Sequence, residues 1–253
     1  MLGRNYPFYS QRVMKLHILG CGDAFGSGGR NQSGYLVQAD HRLFLLDCGP
    51  TTLLAMKRAG FDPLGLDAIF LSHLHGDHFG GIPFFFIEYL YQRPRSRPLP
   101  IAGPLGTEAK VTDLFRVMYS AQDFPPVQFH LLEPEKSVLI AGIEIFCFRV
   151  PHQVSDISLA LKASYDGKQI LFSGDSAWTE RFVDEARGVD LFLCECSFFD
   201  QGNGNHVRYL SLRENLPRLD CKQLVLIHLG EEMLARRNEL AANCAEDGMV
   251  IEI

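Results

Sequence analysis

The feature that most constrains this chain is a cluster of three histidines and one aspartate in the segment SHLHGDH, residues 72–78. The cluster directly follows a short apolar run, LDAIFLS, of the kind that forms buried strands. Alternation of side chains places His73 and His75 on one side of an extended segment. The turn that follows directs Asp77 and His78 toward a neighbouring point. Because imidazole and carboxylate groups are ligands of zinc, manganese and iron, the segment predicts a site for two metal ions a few ångströms apart. The alternative is a polar loop in which the histidines have no common role.

Short strand-like runs alternate with amphipathic stretches along the whole sequence. Asp166-Gly167, between two β-rich runs, is the strongest hairpin signal. Pro50 and Gly60 enclose a predicted helix, because proline favours the first helical turn and glycine the end. The other predicted strands cover residues 13–19, 34–39, 42–47, 66–72, 137–142, 143–150, 157–163, 189–195 and 222–228, and the other predicted helices cover 81–91, 108–119, 177–186, 207–215 and 231–242. Strands followed by helices in both halves predict an α/β fold, a four-layer αββα sandwich that forms a single domain over residues 1–253.

The composition is that of an ordinary globular protein, with 47% hydrophobic and 21% charged residues. No apolar run reaches the ~18 residues of a membrane-spanning helix, so no membrane partner is expected. The first residues, MLGRNYPFYSQRV, lack the apolar core of a signal peptide. The seven cysteines are odd in number and include no CxxC pair, which argues against a disulfide framework. Together these features predict a cytoplasmic protein with reduced thiols.

The formal net charge of −6 and the scarcity of basic clusters bear on the partner. Proteins that bind long nucleic acids need a basic surface, since phosphate contacts supply most of the affinity. No run of lysine and arginine is longer than two residues here. Arg93, Arg95 and Arg97 come closest, and the prolines beside them predict an exposed loop with solvated charges rather than a phosphate-binding patch. A long nucleic acid is therefore not the expected partner.

The histidine segment resembles the HxHxDH motif of the metallo-β-lactamase fold hydrolases, and the resemblance extends over nearly the whole chain. Four further residues match that family's pattern in order and at strand ends: Asp47 in LFLLDCGP, His152 in FRVPHQVSD, Asp175 in ILFSGDS and His228 in LVLIHLG. The resemblance implies a first metal held by His73, His75 and His152, a second held by Asp77, His78 and His228, and Asp175 as the bridge. It also implies that Asp47 orients the histidine loop without binding metal.

The chemistry that this resemblance implies depends on two divalent metal ions. Zinc is the expected metal, with manganese and iron as alternatives. A water that bridges the two ions would be the nucleophile, and Asp77 would belong to the catalytic residues.

Several segments resemble the ribonuclease Z branch of the family and its phosphodiesterase relatives, namely ILGCGDAFGSGGRNQSGYLV and PLPIAGPLGTEAKVTDL. In that branch a glutamate pairs with a downstream histidine, which Glu195 in CECS and His206 match here. The resemblance implies that Glu195 orients His206 to protonate the leaving alkoxide, the alternative being a buried glutamate and an unrelated surface histidine. Asn205 is expected to cap the following helix. Arg30 and Asn31 are expected to contact substrate.

The sequence departs from ribonuclease Z in one respect. Only 22 residues separate His152 from Asp175, which leaves no room for the long arm with which that enzyme grips tRNA. The expected function is hydrolysis of a small phosphodiester, such as a cyclic nucleotide, by a metal-bridging hydroxide. The alternatives are a ribonuclease Z-like endonuclease, a hydrolase of carboxylic esters, thioesters, lactones or sulfate esters on the same metals, and a scaffold that has lost catalysis.

The predicted helix over residues 81–91 contains three successive phenylalanines, 84–86, and is more apolar than one packed face requires. It is either a core helix or, together with Tyr89 or Tyr91, part of a homodimer contact or of the substrate cleft.

Overall fold

The computed structural model describes residues 14–120, 123–155 and 157–253, which form two seven-stranded sheets. Val13 of the first predicted strand, and with it the segment MLGRNYPFYSQRV, lies outside the described residues. The first sheet has the spatial order β14-β1-β2-β3-β4-β5-β6 and consists of β1 (Met14–Gly20), β2 (Gly34–Ala39), β3 (Arg42–Leu46), β4 (Ala68–Phe70), β5 (Leu99–Gly103), β6 (Val127–Leu131) and β14 (Val250–Glu252). The second has the order β13-β12-β11-β10-β9-β8-β7 and consists of β7 (Ser137–Ile140), β8 (Ile143–Arg149), β9 (Leu159–Tyr165), β10 (Lys168–Phe172), β11 (Leu191–Glu195), β12 (Leu224–Ile227) and β13 (Asn243–Cys244).

The two sheets pack face to face through buried apolar side chains. Tyr35 of β2 meets Phe172 of β10 across this layer, with ring centroids 5.2 Å apart. Along β3, Phe44 and Leu46 face the second sheet whereas Leu45 faces the helices, as the two-residue period of a strand requires. Both faces of each sheet are therefore covered, which explains why the central strands are almost continuously apolar.

Helices cover the outer face of each sheet. The first sheet is covered by α1 (Thr52–Arg58), α3 (Ile82–Ile87) and α4 (Thr107–Tyr119), and the second by α5 (Arg181–Glu185), α6 (Tyr209–Asn215) and α7 (Glu231–Ala235); the single-turn α2 (Gly76–Phe79) lies in the histidine segment. The predicted four-layer αββα sandwich is thereby confirmed. Within the described parts of the chain, no helix has the length and apolar character needed to cross a bilayer.

Two predicted helices are shorter than expected. The helix predicted from 177 begins only at Arg181, and in the loop before it the N–H of Ala177 donates to the carbonyl of Pro151. The helix predicted to reach 242 ends at Ala235, since the N–H of Ala241 donates to the hydroxyl of Tyr209. Four short strands were not predicted at all, namely β5, β6, β13 and β14.

The arginine-rich segment was predicted to be an exposed loop with solvated charges, and this prediction is wrong for the arginine at its centre. Arg95 is buried, and its guanidinium donates to the carbonyls of Leu64, Leu66 and Arg97. The arginine therefore ties its loop to the segment that precedes β4, and it is not available to bind phosphate.

The phenylalanine-rich helix is mainly part of the core. Phe85 and Phe86 are fully buried, and Phe86 packs edge to face on Phe115 of α4. The chain continues from α3 as one π-helical turn, Glu88–Gln92, in which Tyr91 is exposed. The homodimer stays a prediction.

Candidate metal centre

Parallel strands bring the sequence-predicted ligands to one edge of the sandwich. β10, β11 and β12 are parallel neighbours in the second sheet, and β3 and β4 are parallel neighbours in the first. Because the residues after parallel strands emerge at the same edge, segments distant in sequence meet there. The loops after β3, β4, β8, β10, β11 and β12 carry, in that order, Asp47, the histidine segment, His152, Asp175, the Glu195–His206 segment and His228.

Glycines allow the histidine segment to pack tightly on the loop after β3. A Cβ on Gly49 would lie 2.4 Å from the carbonyl oxygen of Asp77, and one on Gly81 would lie 2.1 Å from the carbonyl oxygen of Gly49. No side chain fits at either contact, so the backbone of the segment is fixed against its neighbour.

The first group of converging side chains consists of His73, His75, His152 and Asp175, with one nitrogen or oxygen of each within 4.8 Å of all the others. Nε2 of His152 lies 3.2 Å from Nδ1 of His75. Nε2 of His73 lies 3.8 Å from Oδ2 of Asp175. Nitrogens that face one another at such distances are suited to share one cation.

The second group consists of Asp77, His78, Asp175 and His228, and its ligating atoms obey the same limit of 4.8 Å. Nε2 of His78 lies 3.1 Å from Asp77 and 3.3 Å from Oδ1 of Asp175. Nε2 of His228 lies 3.4 Å from Oδ2 of Asp175. Asp175 belongs to both groups, which is the position that a bridging carboxylate occupies.

Hydrogen bonds on the far side of the rings turn Nε2 of several histidines toward the centre. Nδ1 of His152 donates to the carbonyl of Asn205 at 3.0 Å. Nδ1 of His73 is 3.0 Å from the Ser72 hydroxyl, and Nδ1 of His228 is 2.9 Å from the Ser197 hydroxyl. With Nδ1 used in this way, the other ring nitrogen is the one left to bind a metal.

Asp47 holds the histidine segment from beneath, as the sequence predicted. Its fully buried carboxylate accepts from Nδ1 of His78 at 2.6 Å, from the N–H of Ser72 at 2.8 Å and from the Ser72 hydroxyl at 2.9 Å. The carboxylate therefore fixes both the start of the segment and the orientation of one of its imidazoles.

The electrostatics of the cluster favour cations. Burial alone would raise the pKa of Asp175, but His228 and His78 hold it well below its usual range. Burial would lower the pKa of His228, but the charge of Asp175 and the hydrogen bond to Asp77 raise it to about 9. Nε2 of His73 and of His78 are buried and make no hydrogen bond. Buried carboxylates beside ring nitrogens that make no hydrogen bond are suited to bind a pair of divalent metal ions.

Glu195 and His206 form the predicted pair beside the second group. Oε1 of Glu195 accepts from Nδ1 of His206 at 2.8 Å and from the N–H of Ser176 at 2.8 Å. The His206 ring stacks on His228 with centroids 5.4 Å apart. Burial lowers the pKa of His206, but the hydrogen bond and charge of Glu195 outweigh it and raise the pKa overall. Asn205 does not cap the helix, because α6 begins two residues later than predicted, after Arg208, and the Asn205 carbonyl is used by His152.

A cleft of about 580 Å³ opens above the cluster. Its floor includes His206 and five of the ligand candidates, namely His75, Asp77, His152, Asp175 and His228. Its rim consists of Asp23, Ala24, Phe25, Ser27, Gln153, Ser197, Phe198, Asn203, Gly230, Glu231 and Glu232. Among these described lining residues none is a lysine or an arginine. The cleft is thus apolar and acidic above a floor suited to metal ions.

Arg30 and Asn31, the expected substrate contacts, do not line this cleft. The Asn31 side chain donates to the carbonyl of Leu19 at 2.9 Å, which fixes the loop after β1 from behind. The rim residues of the same loop, Asp23 and Phe25, were missed. The sequence signal for them was only their position in the glycine-rich segment that follows the first strand.

The chain is similar to one protein family and to several individual proteins. The family model of the anti-Pycsar protein Apyc1 matches residues 14–246. Ribonuclease Z of Methanococcus maripaludis is 33% identical over 151 residues, which are 59% of this chain and 48% of that relative. The chain therefore spans about half the length of the ribonuclease Z that it matches.

Two further proteins match over most of their length. The probable metallo-hydrolase YhfI of Bacillus subtilis is 25% identical over 223 residues, 85% of this chain and 87% of YhfI. The crystal structure of YhfI, described as a metallo-β-lactamase fold protein, superposes with a TM-score of 0.78 at 22% identity, covering 96% of this chain and 100% of YhfI. A diphosphatase of the PhnP family superposes with a TM-score of 0.75 at 18% identity, covering 95% and 98%. At these identities the two structures show the fold alone.

Proposed function

This chain belongs to the anti-Pycsar protein Apyc1 family and has the metallo-β-lactamase fold, and on that premise we propose that it hydrolyses a small phosphodiester such as a cyclic nucleotide. The observation that carries the proposal is the combination of two metal-binding groups with the Glu195–His206 pair in one cleft without basic residues among its described lining.

The two groups would hold two divalent ions, and zinc is the metal proposed ahead of manganese and iron. The first ion would be held by His73, His75 and His152, the second by Asp77, His78 and His228, with Asp175 between them. When bound, the ions would activate a water as the nucleophile and offset the charge that develops on the phosphorus oxygens. In this arrangement Asp47 keeps His78 oriented, and Ser197 connects His228 to Glu195 through its hydroxyl.

His206 would supply the proton that the leaving alkoxide needs. Its Nδ1 donates to Glu195, so Nε2 is the nitrogen that exchanges a proton in the cleft. Two donors from Ser197, its N–H and its hydroxyl, both at 3.2 Å, hold the second oxygen of Glu195. The carboxylate is therefore fixed and can both orient the imidazole and stabilise its protonated form, as a general acid requires.

The charge of the cleft supports a small substrate over a long one. A polynucleotide carries a row of phosphates, and proteins that bind one neutralise several of them with lysine or arginine. The rim offers Glu231 and Glu232 instead, so only the phosphate at the floor would meet positive charge. A diester with a single phosphate fits this distribution.

A ribonuclease is the second candidate, because the relative that is 33% identical bears the name ribonuclease Z. That identity covers 151 residues and 48% of the relative, so it leaves the remainder of that enzyme without a counterpart in the match. The two candidates differ in whether the chain cleaves an RNA of many phosphates or a diester of one.

One experiment separates the candidates. The chain loaded with zinc or manganese is assayed against 3′,5′-cyclic nucleotides, bis-p-nitrophenyl phosphate, a carboxylic ester, a lactone and a structured RNA. His75→Ala is the variant expected to abolish turnover, and His41→Ala, which removes an exposed histidine from the β2–β3 turn, is its control. Turnover of cyclic nucleotides that His75→Ala alone removes supports the proposal. Cleavage restricted to the RNA or to the esters, or two bound metals with no turnover of any substrate, contradicts it.

A further inference from the structure

We infer that Phe25 is a stacking platform at the mouth of the cleft, which determines specificity by favouring phosphodiesters that carry a planar aromatic group. The inference rests on the proposed function and adds to it a residue outside the metal centre. Phe25 lines the cleft, yet its side chain is 92% exposed. A phenylalanine ring left in water beside a catalytic cleft gains apolar burial when a flat ligand covers it.

Hydrogen bonds fix the backbone of the loop that carries Phe25, which keeps this residue at the mouth of the cleft. Oδ1 of Asp23 accepts from the N–H of Phe25 at 3.1 Å and from the N–H of Ser27 at 2.9 Å. Oδ2 of Asp23 accepts from the Ser27 hydroxyl at 2.7 Å. One buried carboxylate thus closes the turn around Phe25 with three hydrogen bonds.

A second tie joins this loop to the other side of the cleft. Oε1 of Glu231, at the start of α7, accepts from the N–H of Gly28 at 3.0 Å. Gly22 also forms a β-bridge with Leu229, next to the ligand candidate His228. The position of the aromatic ring is therefore coupled to the floor of the cleft, and a stacking contact made there can orient the phosphate over the metal-binding groups.

A second aromatic ring lies on the wall near the general acid. Phe198 lines the cleft and meets His206 edge to face, with centroids 5.9 Å apart. A Cβ on Gly202 would come within 2.5 Å of the Phe198 ring, so the glycine packs directly on it and restricts its movement. The cleft thus offers aromatic surface on two loops, one after a strand of the first sheet and one after a strand of the second.

The described rim offers aromatic surface but no cationic side chain for a second phosphate. Glu231 is used by the loop after β1, and none of the described lining residues is a lysine or arginine that would bind further phosphates. Stacking on an aromatic side chain is worth about 1–3 kcal/mol per base and tolerates different bases, because every base has a π-face. That range corresponds to roughly a 5- to 140-fold change in affinity.

The test compares a cyclic nucleotide with the cyclic phosphate of the same sugar without a base. For Phe25→Ala we expect the ratio of KM for the nucleotide to KM for the base-free compound to rise about 5- to 140-fold. Phe25→Tyr, which keeps the ring, should restore the wild-type ratio. Tyr91→Ala is the matched control, because that tyrosine is 71% exposed but does not line the cleft. An unchanged ratio in Phe25→Ala, or an equal change in Tyr91→Ala, overturns the inference.

Failure of the proposed function is distinguishable from failure of this inference. If neither cyclic compound is hydrolysed, the proposed function is wrong, and binding then decides the role of Phe25. Titration calorimetry of the metal-loaded chain with AMP and with inorganic phosphate should show that Phe25→Ala weakens the binding of AMP alone. Equal affinity of wild type and Phe25→Ala for AMP contradicts stacking whatever the reaction is.

Discussion

His206→Ala should slow the hydrolysis of a cyclic nucleotide far more than that of bis-p-nitrophenyl phosphate. The leaving group of a cyclic nucleotide is a sugar alkoxide, which needs a proton, whereas p-nitrophenolate departs without one. If His206 is the general acid, its removal acts only where the proton is needed. The matched control is His41→Ala, which removes an exposed histidine outside the cleft.

The expected loss of rate follows from what general acid catalysis contributes to an enzymatic reaction. General acid catalysis is worth about 10²–10⁴-fold, so kcat on the nucleotide should fall by that factor while the activated substrate loses less than about tenfold. Glu195→Gln keeps the shape of the buried side chain and its contact with Nδ1 of His206, at 2.8 Å, but removes the charge. A hydrogen bond to a charged group is stronger than a neutral one by about 1 kcal/mol, so this variant should lose about five- to tenfold on the nucleotide.

The assay also needs the metal content of each variant, measured by elemental analysis. Glu195, His206 and His228 lie close enough together to be a metal-binding group of their own. Loss of metal from His206→Ala, or an equal loss of rate on both substrates, would refute the role as proton donor. A variant that retains its metal and discriminates between the two leaving groups has lost the acid alone.

Three further outcomes follow from particular contacts. Asp175→Ala should lose both metal and activity, because this carboxylate belongs to both groups of candidate ligands; two ions retained with normal turnover would contradict the proposed bridging role. Burial alone would raise the pKa of Asp190, but hydrogen bonds from Lys222 and the N–H of Gln169 lower it. Its ionised carboxylate therefore stabilises the fold above about pH 4, and this stabilisation is lost as the pH falls through the pKa of the folded protein. In urea unfolding, Asp190→Asn should lower the free energy of unfolding by about 1 kcal/mol at pH 7 and make it depend less on pH below 4. Asp184→Asn, at an exposed position, is the control. All seven cysteines lie in the described residues and only Cys221 is not buried, so iodoacetamide should modify Cys221 first in the native protein, a result that mass spectrometry of tryptic peptides can check.

Two kinds of sequence signal identify the candidate ligands, namely an apolar run that predicts a strand and a resemblance to a known family. A buried parallel strand is recognisable from an apolar run, and its carboxyl end fixes where the next residue lies. Strand reasoning of this kind identifies the histidine segment, whereas the family resemblance identifies Asp175 and His228. The structure brings one side-chain atom of each of these residues into the two groups of candidate ligands. Glu195 comes from the same resemblance and is the last residue of β11.

The same reasoning failed where partners lie far apart in sequence or strands are weak. Arg95 was expected in water, but its acceptors are carbonyls of Leu64 and Leu66, about 30 residues earlier, and no local pattern reveals them. β6 (Val127–Leu131) is an edge strand with half-exposed side chains, so it lacks the apolar run of a central strand. The exposure of Phe25 follows from how Asp23 closes its loop, which composition does not show.

Backbone conformation at the site explains why strand ends alone do not build it. Asp47 and His228 have φ values of +58° and +57°, a left-handed conformation that costs a residue with a side chain about 1 kcal/mol or more. The other residues with side chains and positive φ in the described parts of the chain lie in turns or at a helix end: Asp40, Ser120, Glu135, Ala141 and Asp166. At Asp47 the conformation directs the carboxylate under Ser72 and His78, and at His228 the N–H donates to the carbonyl of Cys21 while the ring faces Asp175. Glycine would relieve the strain at either position but would remove the side chain that the site requires. The strands thus determine where the candidate site lies. Its geometry depends in addition on two strained residues, which are held in place by hydrogen bonds with the opposite sheet or the neighbouring loop.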